Sequence, residues 1–241
     1  MAVVATQLTG RTLAKDSRST RSTIALKLTM AVSGLIFIGY LLLHMYGNTK
    51  MFAGEEAFNS YAHHLRVFGE PMLPENGLLW VIRVLLLVAV AAHVWSAITL
   101  TGRAHKARKS RYAVKKNLAS SLSSRTMLWG GLTLLIFIIW HLLHFTIAKI
   151  NPNPDGTGSD NPYRLVVESF EVWWMALIYL AAMFALAMHL HHGTWSALQT
   201  LGFTGTARAR ARAKAAGWVV AIVIAGGFAL VPLSVLFGIV K

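Results

Sequence analysis

Five uninterrupted apolar runs, each long enough to cross a lipid bilayer, constrain this chain more than any other feature. They cover about residues 28–47, 77–100, 127–148, 172–192 and 217–240. A span needs roughly 20 apolar residues. In hydrocarbon every backbone N–H and C=O must find a partner inside the segment, so each run is predicted to be a helix. The expected fold class is an all-α membrane protein with five transmembrane helices. Composition agrees: 55% of the 241 residues are hydrophobic and only 13% are charged, against about 25% charged in a soluble domain. Residues 1–24 form a polar arm rich in Ser, Thr and basic side chains, whose composition reads as loosely ordered. The first run lies beyond that arm and reads as a span rather than a cleaved secretory leader.

The formal net charge of +14 admits two explanations, nucleic-acid binding or membrane topology. Position separates them. Basic residues crowd into the arm (Arg11, Lys15, Arg18, Arg21), the connection after the second run (Arg103 to Arg125) and the connection after the fourth (Arg208, Arg210, Arg212, Lys214). Five crossings place all three on one side. The opposite side holds every acid except Asp16. Topology accounts for the charge and no nucleic-acid partner is expected. The predicted setting is a plasma (inner) membrane, with the N-terminus cytoplasmic and the C-terminus outside. The basic loops would face anionic lipid or a cytoplasmic partner. Trp80, Trp129, Trp173, Trp174, Trp195 and Trp218 fall near helix ends, where interfacial anchors sit. Residues 53–68 have helical apolar spacing and are predicted to lie along the outer surface. The stretch from Asn151 is rich in turn residues and reads as an irregular loop.

Ionisable residues inside a span are functional candidates. The span interiors carry no Asp or Glu, but each of the first four contributes a histidine, His44, His93, His141 and His189, with His144 near the outer end of the third and His191 and His192 at the inner end of the fourth. At 1.5 Å per residue, His44 and His141 fall ~24 and ~21 Å from the cytoplasmic edge; His93 and His189 fall ~12 and ~5–10 Å from it. Two pairs at two depths, drawn from non-adjacent helices, suit two six-coordinate haems within a four-helix arrangement. A zinc or copper site would want its ligands at one level. A lone membrane histidine commonly serves as a helix-to-helix hydrogen-bond donor, worth ~1 kcal/mol; four in two depth-matched pairs exceed that role. His144 shares a face with His141 and is an alternative ligand, or a partner of a propionate or quinone. For His144, as for His63, His64, His105, His191 and His192, a solvated or interfacial place is the simpler expectation. With no Cys in the chain, thiolate metal sites, covalent haem attachment and iron–sulfur ligation by this chain are excluded.

Around these histidines the chain resembles the cytochrome b558-type membrane subunit of succinate dehydrogenases and fumarate reductases. The similar strings are SGLIFIGYLLLHMYGN around His44, YAHHLR then LLLVAVAAHVW around His93, SRTMLWGGLTLLIFIIWHLLHF around His141 and MHLHHGTWSALQTLG around His189. The last is the most specific, and the likeness extends from about Ser22 to Val240. The resemblance implies that the first four helices form a dihaem-binding bundle. His44 and His141 would ligate a distal haem b near the outer face, and His93 and His189 a proximal haem b near the cytoplasmic face. It implies a quinone substrate (menaquinone or ubiquinone). It also implies a flavoprotein partner carrying FAD and an iron–sulfur partner, so no dicarboxylate chemistry belongs to this chain alone. One departure stands out: some dihaem fumarate reductases have a Glu two residues before the fourth-helix ligand, associated with transmembrane proton movement, where this chain has Ala187.

The expected function is thus a dihaem, quinone-reactive membrane anchor of succinate:quinone oxidoreductase. Ser33 is a candidate hydrogen-bonding neighbour of the proximal haem and Arg83 a candidate holder of a distal propionate. A helix-packing serine and a snorkelling arginine are the alternatives. Quinone sites near Tyr61, His64 and Arg66, or near Arg125 and Trp129, remain open. The rival functions are the cytochrome b subunit of a hydrogenase or formate dehydrogenase, and a haem-free membrane protein whose histidines relay protons.

Overall fold

The computed structural model describes residues 22–107, 122–148, 150 and 161–241. The expected arm, most of the basic connection after the second run and most of the Asn151 loop lie outside the described residues. Among the described residues all regular structure is helical, and five helices are long and apolar enough to cross a membrane. They are α1 (Thr23–Thr49), α3 (Gly77–Lys106), α4 (Leu122–His141), α6 (Trp173–Thr200) and α7 (Ala207–Leu236). Two shorter helices, α2 (Glu55–Val67) and α5 (Pro162–Glu171), lie at one end of the bundle.

Local chemistry sets the helix starts. Ser22 caps α1 by accepting from the Ala25 N–H, and Thr206 caps α7 by accepting from the Ala209 N–H. Asn161 caps α5 through the Arg164 N–H, with Pro162 supplying the fixed φ of the first turn. The basic residues from Arg208 to Lys214, expected in a loop, instead form the first turns of α7. Alternating Ala and Arg are both strong helix formers, and the Thr206 cap starts the helix ten residues before the apolar run. In the same way α6 continues to Thr200, and His105 lies in the last turn of α3 rather than in a loop.

The surface helix expected over residues 53–68 is α2. Helix α5 was not anticipated, and it is nearly engulfed: Tyr163, Leu165, Val166, Val167, Ser169 and Phe170 are buried. It plugs the space beside α2, α6 and α7. Asn59 and Asn161 tie α2 to α5, the Asn59 amide donating to the Asn161 carbonyl at 2.9 Å and the Asn59 carbonyl accepting from the Tyr163 N–H at 3.0 Å.

The most extensive packing joins α6 to α7, along a seam of small residues including Gly217, Ala221, Ala225 and Ala182. Small residues let helix backbones approach in lipid, where no hydrophobic drive favours helix association. Helix α1 packs on α3, α6 and α7, and α4 packs on α6. The first four spans therefore run α3–α1–α6–α4 around the bundle, which puts α1 diagonal to α4 and α3 diagonal to α6. The spans of α3 and α4 bury very little of themselves against the rest of the chain.

Candidate functional site

The four histidines meet across the two diagonals. His44 from α1 and His141 from α4 have ring centroids 5.9 Å apart, and His93 from α3 and His189 from α6 have theirs 6.2 Å apart. Both spacings carry chemical meaning. Two imidazoles that would hold one metal ion between them, with metal–nitrogen bonds of about 2.0–2.1 Å, need their rings brought about this close.

Helix registers give the separation of the two levels. A Cβ on Gly34 of α1 would sit 3.6 Å from His93 Cε1, and one on Gly131 of α4 would sit 3.5 Å from His189 Cε1. His44 follows Gly34 by ten positions, and His141 follows Gly131 by ten. On α6, Tyr179 lies beside His141 and precedes His189 by ten. Three helices thus agree on a rise of ~15 Å between pairs. The His44–His141 pair lies toward the end that carries α2 and α5. The His93–His189 pair lies toward the α6–α7 turn.

Two of these helices share a local pattern. Ser33-Gly34-Leu35 precedes His44 as Gly130-Gly131-Leu132 precedes His141, and each glycine faces a histidine of the neighbouring helix. The two halves differ at Ser33 and Gly130. Ser33 Oγ donates to the Thr29 carbonyl at 2.8 Å and lies 3.0 Å from His93 Nδ1. With its proton used, the hydroxyl accepts from His93 Nδ1–H, which leaves Nε2 as the free lone pair. At Gly130 there is no hydroxyl, and His189 Nδ1 is buried with no hydrogen-bond partner among the described residues.

His144 is neither solvated nor interfacial. It is fully buried, with Nδ1 2.9 Å from the Tyr179 hydroxyl and Nε2 2.9 Å from Ser169 Oγ. With both ring nitrogens occupied it is a poor alternative to His141 as a ligand. The cause of its burial is α5, which carries Ser169, together with the π-helical turn Leu142–Thr146 that directly follows His141. A hydrophobicity pattern cannot reveal a π turn, whose extra residue redirects the side chains after it.

Arg83 is exposed and its guanidinium lies over the Trp80 ring at 5.0 Å. It precedes His93 by ten positions, which brings it to the level of the His44–His141 pair. Of the residues considered for quinone, Tyr61 packs on α1 against Gly47 and Tyr46. Its phenol is held above its usual range by burial and by Tyr46, against the pull of Lys50, so it remains a neutral donor. Trp129 and Thr126 line a groove of about 190 Å³ between α4 and α6 that also touches Gly130, Phe184, Met188 and His189. A larger hollow of about 340 Å³ at the α6–α7 turn, lined by Phe203, Arg208 and Arg212 among others, touches none of the four histidines.

Comparison with protein-family models, with curated proteins and with solved structures returns no match to this chain.

Proposed function

We propose that this chain is a dihaem cytochrome b membrane anchor of succinate:quinone oxidoreductase, passing electrons between an iron–sulfur partner and a membrane quinone. One observation carries the reading: two diagonal histidine pairs, at 5.9 and 6.2 Å, stacked ten residues apart along the bundle. Residues beside the His93–His189 pair support the same reading. Glycine at positions 34 and 131 keeps side-chain atoms off both rings, since a Cβ would sit 3.6 Å from His93 Cε1 and 3.5 Å from His189 Cε1, and His189 Nδ1 is buried with no hydrogen-bond partner among the described residues. Bound haem would contribute one-electron iron chemistry, tuned by its ligands and their burial.

The chain's own residues have distinct tasks. His44 and His141 hold one haem, and His93 and His189 hold the other. Ser33 orients His93 by accepting its Nδ1 proton and raises the basicity of the ligating nitrogen. Arg83, at the level of the first pair, is within the reach of a long side chain for a propionate. The groove at Trp129 and Thr126, open beside His189, is the place offered for a quinone ring. The family strings and the clustered basic residues favour a cytoplasmic flavoprotein and iron–sulfur protein as partners, docked at the α6–α7 turn end.

A pyridine haemochrome assay with a reduced-minus-oxidised spectrum of the purified chain tests the reading. About two b haems per chain are expected, one for each bis-histidine pair, together with copurification of a covalent-flavin protein and an iron–sulfur protein. Haem without those partners would favour a cytochrome b of another oxidoreductase. No haem from haem-replete cells would leave the proton-relay rival standing.

The Ser33/Gly130 difference yields a further expected result. Gly130→Ser places a hydroxyl where no atom lies within 4 Å of the new Cβ, in the position that Ser33 occupies opposite His93. It should give His189 Nδ1 an acceptor, make the ligand more electron-donating and lower the midpoint potential of the haem between His93 and His189. Ser33→Ala should raise that same potential. Optical redox titration checks both signs.

A further inference from the structure

A directed hydrogen-bond chain runs from α5 to His141. The Ser169 hydroxyl lies 2.5 Å from the Leu165 carbonyl oxygen. Two oxygens this close share a proton, and only the serine has one to give. Ser169 therefore donates to the backbone, and its lone pair accepts from His144 Nε2–H at 2.9 Å. Neutral imidazole has one donor and one acceptor, so His144 Nδ1 accepts from the Tyr179 hydroxyl, also at 2.9 Å. The Tyr179 proton is then committed to His144, and its oxygen is left to accept from His141 Nδ1–H, at the longer distance of 3.4 Å. Each link is fixed by the one before it.

We infer that Tyr179, oriented by Ser169 and His144, is a positioning residue for His141: it holds that ring as the Nδ1–H tautomer and directs the Nε2 lone pair to the metal. The inference rests on the proposed haem ligation. It gives a role to a fully buried histidine that the ligand pairs leave unused. It also explains why α5 is sunk into the bundle rather than lying on its surface. Reversal of any link would put the proton on Nε2 of His141 and take away the lone pair that ligates. The aromatic neighbours of Tyr179, namely Phe137, Phe145 and Phe170, keep the ring in place without fixing its hydroxyl, so ring packing and hydroxyl function can be separated.

The experiment uses the full-length chain purified with its haems, and compares wild type, Tyr179→Phe and Ser169→Ala. Haem content, the two midpoint potentials and the low-temperature electron paramagnetic resonance signals of the two low-spin haems are measured. Tyr179→Phe keeps the ring and removes the acceptor. The expected result is two haems per chain, with an upward shift of one potential and of one resonance signal, and the other haem unmoved. Ser169→Ala removes the fixed end of the chain without touching His141 or Tyr179, and should move the same haem. It decides the matter if Tyr179→Phe does not fold. Two retained haems with both potentials at their wild-type values would overturn the inference while leaving the dihaem reading intact. A wild-type chain without haem would overturn the reading beneath it and the inference together.

Discussion

Replacing His93 or His189 with alanine is expected to remove one haem and spare the other, and the same holds for His44 or His141. The four variants should fall into two phenotypes, with each pair of substitutions sharing a spectrum, because the proposed ligation assigns one haem to each diagonal. Haem absorbance should drop by about half in every single variant, since each proposed pair would need both of its imidazoles to hold a haem. His144→Ala supplies the contrast: its ring nitrogens are engaged with Tyr179 and Ser169, so both haems should remain. The grouping is the sharp part of this prediction. Helix-packing histidines would produce graded losses of stability with no pairing. Four ligands of a single cluster would all produce the same phenotype. Reduced-minus-oxidised spectra resolve the two haems, and a variant series in which His93→Ala pairs with His44→Ala would defeat the diagonal assignment.

Much of the architecture was legible because lipid simplifies folding. Backbone satisfaction forces helices, and hydropathy then counts them; the second span begins at Gly77 in the sequence reading and in the structure alike. Helix ends were less legible, since hydropathy marks where lipid stops rather than where the helix does. Arg208 to Lys214 are helical despite their charge, and nothing apolar announces them. Helix α5 was missed because its ten residues are too few and too mixed to read as a span, and its burial depends on neighbours far away in sequence.

The site divides along similar lines. His44, His93, His141 and His189 were visible as ionisable groups in apolar runs, and helix rise alone brought them to two levels. Their hydrogen-bond partners were not visible. Ser33 stood out only as a polar residue in a span. Tyr179 and Ser169 carry no signal, because their significance comes from a π turn and a sunken helix. The Gly34 and Gly131 correspondence was present in the letters, as a Gly-Leu ten residues ahead of a histidine in two helices. It acquires meaning only once each glycine is seen to face a ring.

Gly217→Ala is expected to destabilise the chain by about 1–3 kcal/mol, the usual cost of overpacking a tight contact. At this position a Cβ would sit 2.5 Å from the backbone carbonyl oxygen of His191. A carbonyl in a helix cannot swing aside as a side-chain tip can, so α6 and α7 must separate along the most extensive seam in the molecule. Gly227 and Gly226 of the same helix calibrate the effect. A Cβ at Gly227 would meet the flexible Met45 side chain at 2.7 Å, and a Cβ at Gly226 would meet nothing within 4 Å. Thermal unfolding of the detergent-solubilised chain should therefore rank Gly217→Ala well below Gly227→Ala, with Gly226→Ala close to wild type. The damage should also reach the candidate site unevenly. His191 is two residues from His189, whereas the His44–His141 pair lies ~15 Å farther along the bundle. On the proposed ligation, Gly217→Ala should accordingly loosen the haem assigned to His93 and His189 before the other. Equal loss of both haems, or a melting temperature unchanged from wild type, would show that the α6–α7 seam does not hold His189 in place.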